Sequence, residues 1–139
     1  MVLMVDDSDD DCLLIKMAVG KAERLHFIGS VSDGQEVVEY LSGSGKFADR
    51  VQFPLPDLLL LDLMMPLKNG FEVLKWLQSQ PFEDMFVVVL SGSEHPADIQ
   101  QALKLGADRY HTKEADPTKR DELIKLLEQY LLDARRVDK

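Results

Sequence analysis

One cysteine in 139 residues leaves no internal disulfide to form. That residue, Cys12, reads as a small helix residue rather than a nucleophile, and the near-absence of cysteine points to a reducing compartment, the cytoplasm. No apolar run approaches the roughly 20 residues that cross a bilayer. Residues 1–5 are apolar, but the Asp-rich segment after them argues against a secretory signal. Basic residues are scarce. Sixteen Lys and Arg against 25 Asp and Glu give a net charge of -9. A surface of that sign argues against nucleic acid as the direct ligand, because phosphate backbones need positive charge. It suits divalent cations and basic protein surfaces. Repeats and low-complexity segments are also missing. What remains is ordinary for a globular chain, with 45% hydrophobic and 29% charged residues. Its length fits one domain, expected over 1–139, that can bury roughly two-thirds of its unfolded surface.

The most informative stretch is Pro56-Asp57-Leu58-Leu59-Leu60-Leu61-Asp62-Leu63-Met64-Met65-Pro66. Four consecutive leucines fit a short strand buried on both faces. A bare carboxylate, Asp62, ends it. Residues 2–5 read as a similar strand ending at Asp6-Asp7. Ser8, with Asp11 three residues on, is a capping-box pattern. Asp9, Asp10 and Asp11 are then expected in a first helical turn, as helix-start residues rather than ligands. Leu14, Ile15, Ala18 and Ala22 recur at helical spacing to about residue 24. Residues 25–31 suit a second strand, and Val37, Val38 and Leu41 a short helix. Residues 42–56, rich in Gly, Ser and Pro, read as an extended surface loop, functional or mobile.

After the turn Lys68-Asn69-Gly70, Phe71, Leu74 and Leu77 mark one helix face, with Trp76 off it. Residues 86–90 read as a buried strand ending at Ser91-Gly92-Ser93. Ile99, Ala102 and Leu103 mark the next helix, stopped by Gly106. Residues 108–112 suit a polar edge strand ending at Lys113. Leu123, Leu126, Leu127, Tyr130, Leu131 and Ala134 give the clearest amphipathic helix. Strand and helix alternate five times, which implies a parallel sheet with helices on both faces. The carboxyl ends of such strands are where ligands bind. Asp6-Asp7, Asp62, Ser91 and Lys113 would all lie there.

Three carboxylates on one edge repel, and a hard cation with oxygen ligands resolves the conflict. Three Asp, one Mg²⁺ and Lys113 sum to zero charge. Such a site can take a phosphoryl group, with Asp62 as nucleophile and Mg²⁺ and Lys113 offsetting charge on the phosphoryl oxygens. Ser91 could hydrogen-bond one of those oxygens. Taken singly, Asp6-Asp7 could be a turn or cap, and Ser91 and Lys113 are weak signals. Their joint placement is what is specific. His26, His95 and His111 do not cluster and read as non-ligands.

These residues resemble the CheY-like receiver domains of two-component response regulators. The resemblance covers essentially the whole chain. It rests on Asp6-Asp7, on the run ending in Asp62 with Pro66 and Gly70 after it, on Ser91-Gly92, and on Gly106-Ala107-Asp108-Arg109-Tyr110-His111-Thr112-Lys113. It implies a flavodoxin-like, doubly wound five-stranded parallel sheet of order 2-1-3-4-5. It also implies that Asp62 accepts phosphoryl from a sensor histidine kinase. Asp7 and Asp62 would bind Mg²⁺ directly with the Met64 carbonyl, and Asp6 through water. Lys113 would contact the phosphoryl group, Ser91 would move toward it, and Tyr110 would swing inward into the space vacated. Tyr110 can also be read simply as an edge-strand aromatic covering the adjacent helices. The longer segment 42–56 is similar to stand-alone regulators paired with phytochrome-type kinases. No output domain is expected; output would pass to an unknown downstream protein or through a homodimer at the Tyr110 face.

Two features depart from the family pattern. Glu114 follows Lys113 where proline, often after a cis bond, is usual. A non-proline cis bond costs about 2.5–4 kcal/mol, so a trans bond or a remodelled loop is expected. Met64 occupies a position that is often polar, and an apolar side chain there would hinder the water that attacks the acyl phosphate. Two other readings stay open. A phosphatase of the haloacid-dehalogenase type also uses a strand-end Asp, but needs a second Asp where Met64 stands. A degenerate receiver would bind partners without phosphorylation.

Overall fold

The computed structural model describes residues 1–65, 67–80, 82, 84–113 and 115–137, with side chains to Ala134. Glu114, and with it the Lys113–Glu114 bond, lies outside the described residues, as does Pro66. Five strands alternate with five α-helices: β1 (Val2–Val5), α1 (Asp9–Gly20), β2 (Phe27–Val31), α2 (Gly34–Ser42), β3 (Leu58–Leu61), α3 (Gly70–Gln78), β4 (Phe86–Ser91), α4 (Pro96–Lys104), β5 (Arg109–Thr112) and α5 (Pro117–Val137). The sheet is parallel throughout, in the order β2-β1-β3-β4-β5.

Side chains alternate along each central strand, and each face feeds its own core. Leu3, Val5, Leu59, Leu61, Val87 and Val89 pack with α2, α3 and α4. Val2, Met4, Leu58, Leu60, Val88 and Leu90 pack with α1 and α5. All four leucines of β3 are fully buried, as a central strand covered on both faces requires. Removing one by Leu60→Ala would cost about 2–5 kcal/mol.

Several sequence expectations shift. α1 stops at Gly20 rather than near residue 24. Its buried residues are Cys12, Ile15, Ala18 and Val19, while Leu14 is exposed. The helix crosses the sheet rotated from the predicted stripe, so Cys12 takes the inward place. On α5, Leu126 is exposed and Ile124 is buried instead. On α4, Ala102 is the buried residue and Leu103 is exposed. The segment between α2 and β3 is a long, largely exposed connection with two anchors. Gly43 closes α2 at φ 70°, and a 3-10 turn follows at Gly45–Phe47. Phe47 is buried between Tyr40 and Phe53, with ring centroids 5.0 and 5.1 Å away. The Arg50 guanidinium donates to the carbonyls of Tyr40, Leu41 and Phe53 at 2.9, 2.8 and 3.2 Å. The first two of those carbonyls belong to the last turn of α2, where helical partners run out; the Tyr40 carbonyl also accepts from the Gly43 N–H at 3.1 Å. One buried ring and one cation therefore fasten a stretch read from its composition as functional or mobile.

Candidate functional site: an acidic cluster at the carboxyl edge of the sheet

Register builds the site. Val5 pairs with both Val31 and Leu61, so β1 and β3 end level. The next residue on each strand is an aspartate. The Asp6 N–H donates to Val31 O at 3.0 Å and the Asp62 N–H to Val5 O at 2.9 Å. Both carboxylates are buried, at 2% and 4% exposure, while Asp7 is exposed. On the far side of β3, Ser91 pairs with Thr112, and the Lys113 N–H donates to Ser91 O at 2.8 Å. Lys113 is thereby mounted at the same edge, with its side chain directed at the carboxylates.

Oxygens of Asp6, Asp7 and Asp62 lie within 4.8 Å of one another. Lys113 Nζ is 2.7 Å from Asp6 Oδ2, 2.8 Å from Asp11 Oδ2 and 3.5 Å from Asp62 Oδ2. The Asp6 contact is an ion pair without hydrogen-bond alignment, so Asp6 Oδ2 is a buried oxygen with no hydrogen-bond partner. Asp6 Oδ1 accepts from the Ser8 N–H at 2.9 Å, and Asp62 Oδ1 from the Met64 N–H at 3.4 Å. Burial first, and then the Asp6 charge, push the Asp62 carboxyl above its ordinary value; Lys113 and the Met64 N–H pull it partly back. Burial alone would lower the Lys113 ammonium. The hydrogen bond to Asp11 and the close contact with Asp6, with the charges of Asp62 and Asp6, outweigh burial and raise it.

A buried oxygen lacking a hydrogen bond, in a group of three carboxylates, is a donor set that suits a hard divalent cation such as Mg²⁺. Among the described residues no histidine joins that group. His95 caps α4, accepting from the Ala97 N–H, and His111 Nε2 lies 2.8 Å from the Tyr130 hydroxyl.

The surrounding loops expose apolar side chains. Met64 is 63% and Leu67 81% exposed, and Leu67 holds φ at 64°, a left-handed conformation that costs a branched residue energy. Gly70 begins α3 against the site backbone: a Cβ there would collide with the Asp62 carbonyl and lie 2.7 Å from Leu63 Cα. Ser91 is buried, and its hydroxyl accepts from the Ser93 N–H at 3.3 Å. Tyr110 is partly buried, packs on the core and donates its hydroxyl to Ser93 O at 2.7 Å. Ser91 and Tyr110 thus hold the two sides of one turn. Asp11 is the contact sequence reasoning missed. Its place in the first turn of α1 explained it as a helix-start charge, and the only hint of Lys113 was that β1 and β5 end at the same edge.

A family description, the response regulator receiver domain, matches residues 2–128. The chain belongs to that family. The receiver is 34% identical to the nitrate/nitrite response regulator protein NarL of Escherichia coli K12 over 128 residues, 92% of this chain and 53% of that one. It therefore spans about half the length of that relative. Against response regulator Rcp1 of Synechocystis it is 28% identical over 134 residues, 96% of this chain and 89% of that one. Rcp1 has been solved in a Mn(2+)-bound form, to which the receiver is similar with a TM-score of 0.77 at 26% identity, covering 93% and 91% of the two chains. The phosphorylated cyanobacterial phytochrome response regulator RcpA is similar with a TM-score of 0.82 at 34% identity, covering 94% and 92%. Among the described residues, no helix of the receiver is long and apolar enough to cross a membrane.

Proposed function

We propose that Asp62 of this receiver accepts a phosphoryl group from a phosphohistidine of a sensor histidine kinase, in a Mg²⁺-dependent reaction. One observation carries the reading: three carboxylates within 4.8 Å, with Lys113 Nζ 3.5 Å from Asp62. An Asp62 carboxylate oxygen attacks phosphorus. The phosphorus–nitrogen bond breaks as the acyl phosphate bond forms, and its electron pair returns to the imidazole nitrogen. Asp7, Asp62 and the Met64 carbonyl would hold Mg²⁺, with Asp6 acting through water. The bound ion supplies positive charge beside the phosphoryl oxygens. Burial keeps the Asp62 carboxylate poorly solvated, so neutralising partners favour its anion at the moment of attack. Lys113 offsets charge on one phosphoryl oxygen, and the Ser91 hydroxyl donates to another.

The signal follows from the turn that Ser91 and Tyr110 share. If the Ser91 hydroxyl rotates toward the phosphoryl group, the Ser93 N–H loses its acceptor and the Ser93 carbonyl bound by Tyr110 is freed to move. That biases a two-state packing in which Tyr110 turns further inward. Output then passes through the surface around Tyr110, to a protein target or a second copy. The likeness to RcpA and Rcp1 supports a phytochrome-type kinase and a cytoplasmic location.

Incubation with acetyl phosphate and Mg²⁺, read by intact mass, tests the reading. One added phosphoryl group is expected, lost in Asp62→Asn and on chelation. No adduct under those conditions favours a receiver that acts unphosphorylated. Continuous release of phosphate at high turnover favours a phosphatase.

A further inference from the structure

Lys113 is shared with a carboxylate that phosphoryl transfer does not use. Its ammonium has three protons and three acidic neighbours, Asp6, Asp11 and Asp62, at 2.7, 2.8 and 3.5 Å. Both ends of the Asp11–Lys113 contact are mounted. The Asp11 N–H is held by the Ser8 hydroxyl at 3.3 Å, and the Lys113 N–H by Ser91 O at 2.8 Å. The ammonium stands closer to Asp6 and Asp11 than to Asp62, so a phosphoryl oxygen on Asp62 draws it away from those two carboxylates and competes with them for it. Asp6 cannot release the ammonium cheaply, because its side chain is fully buried and Oδ2 has no hydrogen bond. Asp11 can, because its side chain is 37% exposed and water can take the place of the lysine.

We propose that Asp11 is a positioning residue: it restrains Lys113 in the unphosphorylated receiver and so opposes the phosphorylated form. This rests on the Asp62 reading above. Capture of a phosphoryl group moves Nζ off Asp11, and the strength of the Asp11 contact sets how far the equilibrium lies toward the free carboxylate. Asp10, exposed on the same helical turn, carries the same charge and serves as the control.

The receiver and its Asp11→Asn, Asp11→Glu and Asp10→Asn variants are incubated with acetyl phosphate and Mg²⁺. The steady ratio of phosphorylated to free protein is read by intact mass. Asp11→Asn is expected to raise that ratio roughly three- to fivefold, the scale of a partly exposed ion pair, and Asp10→Asn to change it less than about twofold. Asp11→Glu restores the carboxylate charge and returns the ratio toward the parent value. A second readout is specific to the lysine. In resting protein labelled with ¹⁵N-lysine, the Lys113 ammonium signal shifts in Asp11→Asn and stays put in Asp10→Asn. A parent that takes up no phosphoryl group overturns the Asp62 reading and this proposal together. A parent that does, with Asp11→Asn matching Asp10→Asn in ratio or lysine signal, overturns this proposal alone.

Discussion

The two connections flanking β3 are built in opposite ways. Before it, a largely exposed segment is anchored at two points: Phe47 is buried in an aromatic group, and Arg50 ties the end of α2 to the carbonyl of Phe53. After it, Asp62 and Leu63 are buried, but Met64 and Leu67 face solvent, and Leu67 holds a left-handed backbone. The first connection is fastened to the core through Phe47. The second accepts exposure and strain around a buried carboxylate, a combination found where geometry serves chemistry. Composition, rich in Gly, Ser and Pro, suggested an extended surface loop for the first and gave no hint of its anchors.

Four substitutions would break or sharpen that contrast. The largest effect is expected for Phe47→Ala, a loss of about 3–5 kcal/mol in denaturant unfolding, with phosphoryl uptake on Asp62 unchanged in the folded fraction. A loss below about 1 kcal/mol would mean that Phe47 does not fasten the first connection to the core. Next is Gly70→Ala. Its Cβ forces back the Asp62 carbonyl, so about 1–3 kcal/mol of stability and the rate of phosphoryl uptake should fall together; a stability loss with normal uptake would uncouple α3 from the site.

Asp62→Asn comes third, measured without divalent metal. The Asp62 carboxyl is raised in the folded state, so the folded protein binds the extra proton above the ordinary carboxylate value, and parent stability declines as pH rises through that window. The amide does not titrate. Its advantage over the parent should grow from pH 4 to pH 7, reaching on the order of 1 kcal/mol; a constant difference would remove the burial argument. The smallest effect belongs to Leu67→Asn. Asparagine tolerates the left-handed region, so a gain of about 0.5–1 kcal/mol in unfolding experiments is expected, and a loss would show that the exposed leucine makes contacts the strain serves.

Legibility in the sequence followed the range of the interaction. Leu58–Leu61 could be read because four adjacent leucines leave no other role, and the observed strand has those bounds. Asp6, Asp62 and Lys113 could be assembled because each follows a strand and parallel strands share an edge. Asp11 could not be paired with Lys113, because a contact 102 residues apart in the chain depends on how α1 lies across the sheet. The same rotation exchanged Leu14 for Cys12 on the buried face. Arg50 was opaque for a related reason: its acceptors are backbone carbonyls, which carry no residue identity.

The level endings of β1 and β3 carry a further lesson about length. Deleting a single leucine from β3 would invert every later side chain relative to its neighbours and turn Asp62 toward the wrong layer. The four rungs act as a ruler that tolerates exchange of one aliphatic residue for another but no change in count. Insertions and deletions in a descendant of this chain would therefore accumulate elsewhere, away from the measured span between Val5 and Leu61.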